Sequence, residues 1–546
     1  MEKRKRENKV GGHLAPDAPP EQRRLHWQGA ALAAILILAA GLRLYAVQTA
    51  NLWHDEFWTL ELSCGRDTAH EHLPTDVLLP SLASLTSPAE ALPWWRLPRS
   101  LSQVTHPPLF FWLLRFWRDL LGSSDSAARL LPCIASVAAV ALLYRVVGRL
   151  SGPGAALWAA LLMALSGQQI FYAQEVRSYS LIVMLGLAAL AVLIEIEKPG
   201  VTCSVSMLSR GTGERRDKAG VTRFRVLGFG ALVLALLLTH YFTIGLVLGL
   251  AVYAALRLPR RVVAQLAAAL GAAGLIFLLA WGPFMLRQRQ AMGLENEGGA
   301  AFLLERGPLH AWHTLERLIA VPAQSLAPAT FMNAASLPPL VAWVALPAFL
   351  VPLAWLRRRG DLLVWYLSVA GVLLPLLILD LSRSSMHLAF PRYTLLAGPG
   401  VFAVIGAGSA RMTGLWKHAV PAIAVAACAV LLPASLREPA SKKDWQPIAS
   451  LAAASMQPGD PLLVTAPPDR APQVYLYVSH YLGPMNRPVA IITRPISPQL
   501  ESQLRSHPRV WVINAWAQLP PLFGGAPFHI IASTEMADFG QIQWPR

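Results

Sequence analysis

Charged side chains are scarce in this chain. They make up 14% of its 546 residues against 54% hydrophobic, and the mean hydropathy is +0.43. A soluble domain carries about a quarter of its residues charged, so the composition excludes a soluble enzyme and implies a polytopic membrane protein. Cysteine is equally sparse. Cys64, Cys133, Cys203 and Cys428 are dispersed over different spans and loops, which excludes a disulfide framework and a thiolate metal site. No glycine-rich phosphate loop follows a strand pattern, and no solenoid-type repeat recurs. The first apolar segment is followed by no small-residue cleavage site, so it reads as a retained span with the N-terminus inside rather than as a signal peptide.

Basic residues outnumber acidic ones 47 to 31, for a net charge of +16. Their placement decides what that excess means. Arg145 and Arg149, Lys198 to Arg225, Arg257 to Arg261, Arg357 to Arg359, and Arg411 with Lys417 all fall in short connections between apolar runs. This is the positive-inside pattern, and it explains the charge without a nucleic-acid partner. The stretch from His106 to Leu121 is about 15 residues long where a span needs about 20, and Arg115, Arg118 and Asp119 share one helical face. It reads as an interfacial helix on the outer surface. With that assignment about eleven spans alternate consistently, over 27–47, 126–148, 153–173, 178–196, 226–241, 243–257, 262–284, 336–356, 362–380, 393–411 and 418–434.

The fold expected is an α-helical polytopic membrane domain over 27–434, preceded by a basic cytoplasmic segment 1–26. A small extracytoplasmic α/β domain over 435–546 follows it. In that tail Leu462–Val464, Val489–Ile492, Val510–Ile513 and His529–Ile531 read as strands, with helices over Pro472–Tyr481 and Pro498–Ser506. The outer side then holds 48–125, 174–177, the turn at His240, 285–335, 381–392 and the tail, and the polar clusters of the chain collect there. Cys64 should be open to thiol reagents from that side and Cys203 should not.

Four clusters on that side carry chemistry. Trp53-His54-Asp55-Glu56-Phe57-Trp58 places two consecutive carboxylates where a span meets water. Neighbours on a helix point about 100° apart, so the pair has two roles rather than one. A carboxylate near lipid and tryptophan is partly desolvated and is a better base for that reason; the ordinary alternative is an acidic helix cap between belt tryptophans. His106-Pro107-Pro108-Leu109 holds His106 at a helix start, which alone is also what a surface residue would show. Glu175 and Arg177 break the charge rule in a turn between spans, though a surface pair of this kind is worth only about 0–1 kcal/mol. His387 to Tyr393 brings Arg392 to the membrane surface, where a guanidinium grips either a donor phosphate or a lipid headgroup.

With these pieces in order along the chain, the sequence resembles the membrane-embedded GT-C glycosyltransferases of the protein O-mannosyltransferase-like and lipid A aminoarabinose transferase-like kind. The resemblance is carried by Asp55-Glu56, His106-Pro-Pro-Leu109, Ala128-Arg-Leu-Leu-Pro132, the Q-E-x-R-S-Y turn, Thr239-His240-Tyr241 and Arg392-Tyr393, and covers most of 27–411. It implies transfer of a sugar, with inversion, from a polyprenyl-phosphate donor to a protein, lipid or glycan acceptor on the extracytoplasmic face of a bacterial inner membrane. Asp55 would be the base, Glu56 would orient it or the acceptor, and Glu175 would be the second acid. Arg177, Arg392 and His106 would bind the donor phosphate, and Tyr179, His240 and Tyr393 would contact substrate. The donor's tail would need a groove between spans near 226–284. Some relatives use a divalent metal and others do not; with no D-x-D at Asp55 and no compact ligand spacing, a divalent metal stays open as a cofactor. The rival functions are a transporter or flippase for a lipid-linked or glycan substrate, an assembly subunit, and an oligosaccharide ligase with a diphosphate-linked donor.

Overall fold

The computed structural model of the chain describes residues 20–45, 47, 51–198, 213–295, 304–305, 307–329, 339–358, 360–437, 445–515, 528–533 and 537–542. Most of the basic N-terminal segment and residues 199–212 of the expected linker 197–225, Cys203 among them, lie outside the described residues. Apolar runs that cannot leave backbone groups unsatisfied in lipid form helices. Among the described residues six are long and apolar enough to cross a membrane. They include α1 (Pro20–Leu44), crossing from His26, α4 (Asp125–Ser151), α7 (Tyr179–Glu197), α10 (Arg260–Glu295), α13 (Gly360–Arg383) and α15 (Trp416–Ser435). The protein is a multi-pass membrane protein.

Several of the eleven expected crossings are shorter or broken. The run 153–173 is a pair, α5 (Pro153–Leu165) and α6 (Gly167–Ala173), bent by 59°. Ser166 makes the break: its Oγ accepts from the Gln169 backbone N–H at 3.3 Å and donates to the Ser325 carbonyl at 2.7 Å. Gln168 and Gln169 then donate to the carbonyls of Pro391 and Leu395 at 3.0 and 3.2 Å. A break at membrane depth survives only where protein groups replace water in this way. The expected outer loop 285–335 carries α11 (His310–Leu326), whose last residues, Val321 to Leu326, are buried. The expected span 393–411 is made of short pieces, a turn of helix over Pro391–Thr394, a 3₁₀ turn over Leu395–Ala397 and α14 (Gly398–Ser409), the last buried along its whole length.

Further helices ahead of the tail include α2 (His54–Ser63), α3 (Leu109–Leu121), α8 (Gly213–Leu237), α9 (Thr243–Arg257) and α12 (Pro339–Leu350). The expected interfacial helix is α3. It turns Phe110, Phe111, Leu114 and Arg118 inward and leaves Phe116, Leu120 and Leu121 exposed. Its charged face therefore meets protein: Arg118 donates to the Thr86 carbonyl at 2.7 Å and lies against Ser63 and Cys64. Cys64 is fully buried there, which corrects the expectation that it would be open to reagents.

After Arg437 the chain forms α16 (Gln446–Ser455), β1 (Leu462–Thr465), α17 (Ala471–Tyr481), β2 (Val489–Ile492), α18 (Pro498–Arg505), β3 (Val510–Ala515), β4 (Phe528–Ser533) and β5 (Ala537–Ile542). The sheet order is β2-β1-β3-β5-β4, parallel across the first three strands and antiparallel beyond. Parallel pairing needs crossover helices, here α17 and α18. The loop between α2 and α3 caps the open edge of β2, with Leu79 and Val489 exchanging backbone hydrogen bonds at 2.9 and 3.0 Å. The Phe57 ring of α2 meets Tyr477 of α17 edge-on at 4.9 Å. The appended domain therefore rests on the helix that carries Asp55.

Helix contacts in the bundle rely on small residues. Gly245 and Gly249, one turn apart on α9, face Gly371 and the Leu367 carbonyl of α13 so closely that a Cβ would collide with backbone. Lipid offers helices no hydrophobic drive to associate, so close backbone approach supplies the contact. Gly249→Val should destabilise the purified protein by about 1–3 kcal/mol, read as a lower thermal unfolding midpoint in detergent; an unchanged midpoint would refute this contact.

Candidate active site

The two consecutive carboxylates of α2 diverge as helical neighbours must. Glu56 points into the protein and is fully buried. It accepts from Arg129 of α4 at 3.2 Å through each oxygen, from the Trp53 backbone N–H at 3.2 Å and from the Val176 backbone N–H at 3.0 Å. Arg129, also fully buried, donates to the Asn51 carbonyl at 2.8 Å. One carboxylate thus ties the start of α2, the α4 entry and the 174–177 turn together.

Asp55 keeps a partly exposed carboxylate at the mouth of the bundle. Its Oδ2 lies 3.4 Å from Arg392 Nη1 and 3.7 Å from Arg177 Nη2. Arg177 is held by donation to Thr59 Oγ1 at 2.9 Å and to His106 Nε2 at 3.0 Å, with its guanidinium 5.8 Å from the Tyr179 ring centre. The Arg392 guanidinium lies 5.2 Å from the ring centres of both Phe390 and Tyr393. His240 closes the group, 6.0 Å from the His106 ring and 6.1 Å from the Tyr179 ring.

Asp55, His106, Arg177, Tyr179, His240, Arg392 and Tyr393, spread over more than 300 residues of sequence, therefore meet around one carboxylate. Glu56 and Glu175 are both fully buried: Glu56 is committed to Arg129, and Glu175 lies near Tyr172.

Burial, and then the charges of Arg177 and neighbouring cationic groups, push His106 well below the usual imidazole range; burial and the two arginines push His240 down to about 4. Both rings are neutral near pH 7. Arg177 can only donate, so His106 Nε2 accepts and its proton sits on Nδ1. The Phe242 backbone N–H donates to His240 Nδ1 at 3.3 Å, which leaves Nε2–H as the donor that His240 offers. This set suits an anion. It does not suit a divalent cation at Asp55, whose neighbours are two guanidiniums, and among the described residues no three His, Cys, Asp or Glu side chains group as metal ligands.

Three supports went unrecognised in the sequence. Arg129 stood inside a quoted motif without a role. Asp380, fully buried at the end of α13, accepts from His387 Nδ1, the backbone N–H groups of His387 and Leu388, and Ser385 Oγ, all at 2.8–2.9 Å. It fixes the His387 ring, which packs 5.1 Å from Tyr393 and 5.7 Å from Phe242. Arg43, fully buried near the end of α1, donates to Ser136 Oγ at 2.7 Å and to the carbonyls of Met163 and Ala164 at 3.1 Å. The rule that ionisable residues at membrane depth need named partners would have flagged Asp380 and Arg43.

Two measurements check this geometry. Glu56→Ala leaves Arg129 buried without its counter-ion and should cost about 3–5 kcal/mol of stability; an unchanged unfolding midpoint would refute the tie. His240 binds its proton more weakly folded than unfolded, so its contribution to stability is complete above pH 6.5 and lost as pH falls toward 4. The wild type should lose stability over that window more steeply than His240→Gln, by on the order of 3 kcal/mol in total. Parallel pH profiles for the two proteins would contradict the assignment.

Residues 105–213 match the family described as dolichyl-phosphate-mannose-protein mannosyltransferase. That segment contains His106, Arg129, Glu175, Arg177 and Tyr179. A sequence search of curated proteins finds no match. Among solved structures, ArnT from Cupriavidus metallidurans in the apo state is similar at a TM-score of 0.54 and 12% identity, over 95% of this chain and 98% of that one. The same protein bound to undecaprenyl phosphate is similar at a TM-score of 0.51 and 13% identity, over 94% of this chain and 98% of that one. At such identities it is the fold that is shared with ArnT, over nearly the whole of both chains.

Proposed function

We propose that this protein transfers a sugar from a polyprenyl-phosphate donor to an acceptor at the extracytoplasmic surface, with Asp55 as the base. The observation that carries the reading is the Asp55 carboxylate lying within 4 Å of two guanidiniums from distant parts of the chain, Arg177 and Arg392. The leaving group of such a transfer is a lipid phosphate whose negative charge grows as the bond to the anomeric carbon breaks. Preorganised cationic donors in a partly dry site stabilise that charge without reorganising. Arg177, Arg392 and the Nε2–H of His240 supply such donors, and Tyr179 and Tyr393 wall the sugar side.

The acceptor's hydroxyl or amine would attack the anomeric carbon from the face opposite the phosphate, inverting it. Asp55 would take the acceptor's proton while the polyprenyl phosphate departs as an anion. A phosphate entering between the guanidiniums would draw their N–H groups onto itself and leave Oδ2 to the acceptor. Glu56 would act by fixing the start of α2, and Glu175 by its place in the turn that carries Arg177. The similar ArnT structure holds undecaprenyl phosphate, which supports a lipid-linked donor here. The isoprenoid tail would lie in lipid against 226–284, where Leu275, Ile276, Leu278 and Leu279 of α10 are exposed.

Asp55→Asn should lower turnover by about 10²–10⁴-fold while membrane insertion and the unfolding midpoint stay as in the wild type. Transfer is read as loss of sugar from the extracted polyprenyl-phosphate pool. Near-normal turnover in that variant would reject Asp55 as the base.

A further inference from the structure

The end of the bundle remote from Asp55 holds a second anion-seeking site. Arg145 and Arg149 of α4, Glu195 of α7 and Arg225 of α8 surround a cavity of about 300 Å³, with Val146, Ala191 and Ile194 as its apolar wall. Arg145 pairs with the Glu195 carboxylate, Arg225 donates to the Glu195 carbonyl at 2.9 Å, and Arg149 donates to the Lys198 carbonyl. Three arginines thus face one carboxylate. The next acid, Glu197, does not relieve the imbalance, because Arg257 at 3.0 Å and the Tyr253 hydroxyl already hold it.

Arg145 lies about 24 Å along α4 from Arg129, taking about 1.5 Å per residue, so the cavity sits near the opposite surface of a bilayer about 30 Å thick. Phe224 and Leu227, flanking Arg225 on α8, are exposed as lipid-facing residues are. The cavity therefore lies at the boundary between hydrocarbon and headgroups, on the side the positive-inside rule makes cytoplasmic. Its volume is at the small end for ligand pockets, suited to a headgroup whose chains stay in lipid.

We infer that this cavity binds the phosphodiester of an anionic phospholipid from the leaflet opposite the active site. Guanidiniums grip phosphate oxygens bidentately, and basic pockets between helices on this side of a membrane favour anionic headgroups. The site is independent of the donor site, lying at the other end of α4.

Native mass spectrometry of the full chain in detergent, titrated with phosphatidylglycerol or phosphatidylcholine, tests the assignment. The wild type should retain phosphatidylglycerol selectively. Arg145→Gln and Arg225→Gln should each weaken retention roughly fivefold, whereas Arg261→Gln, an exposed arginine at the same end that does not line the cavity, should leave it unchanged. Glu195→Gln removes the one repulsive charge and should tighten binding, which a merely destabilised protein would not do. Equal loss in the Arg261 variant, weaker binding in the Glu195 variant, or full displacement of the lipid by millimolar inorganic phosphate would each overturn the assignment.

Discussion

The buried Glu56–Arg129 pair is the constraint on which the site depends. Taking both charges out of water is costly, and the cost is met because the carboxylate also accepts two backbone N–H groups and the guanidinium reaches a backbone carbonyl. Those extra partners lie in the 51–53 segment that leads into α2 and in the 174–177 turn, so that with Arg129 of α4 the pair joins three segments. Once Glu56 is committed inward, helical geometry turns Asp55 away from it. The same bond to Val176 sets the turn from which Arg177 reaches Asp55. A single inward carboxylate thereby aims an outward one at its cations.

Around this tie the membrane imposes its own rule, that no backbone group may go without a partner. The break at Ser166 obeys it through the Ser325 carbonyl and the two glutamines that follow, which donate to Pro391 and Leu395. Those carbonyls flank Arg392. The broken helix is thus also a brace for the second cation, and Asp380 with His387 braces it from the other side by holding the ring against Tyr393. The terminal α/β domain adds a third support, because its α17 packs on α2 through Phe57, two residues from Asp55.

Electrostatically the site is built for an anion. Two guanidiniums face one carboxylate, and burial and the nearby guanidiniums keep His106 and His240 neutral, so each ring keeps one nitrogen as donor and one as acceptor. Neutral rings add hydrogen-bonding direction without adding to the repulsion between the arginines. The opposite end of the bundle repeats the excess of arginine over carboxylate at Glu195, with lipid-facing side chains beside it.

The chain's apolar content and the spacing of its basic loops determined by themselves that it is a multi-pass membrane protein, because the cost of burying polar backbone and charge in lipid acts on local sequence. The strands of the tail were legible for the same reason, as apolar runs between turn residues; β5, Ala-Asp-Phe-Gly-Gln-Ile, was not, since its pairing with β3 rather than its own pattern makes it a strand. Asp55, His106, Arg177, His240 and Arg392 could be picked out as polar residues on one side of the membrane. Which of two adjacent carboxylates turns inward, where a 21-residue apolar run breaks, and that Glu175 sits buried while Arg177 reaches the mouth were decided only by tertiary structure, because each depends on hydrogen-bond partners contributed by segments far away in the chain.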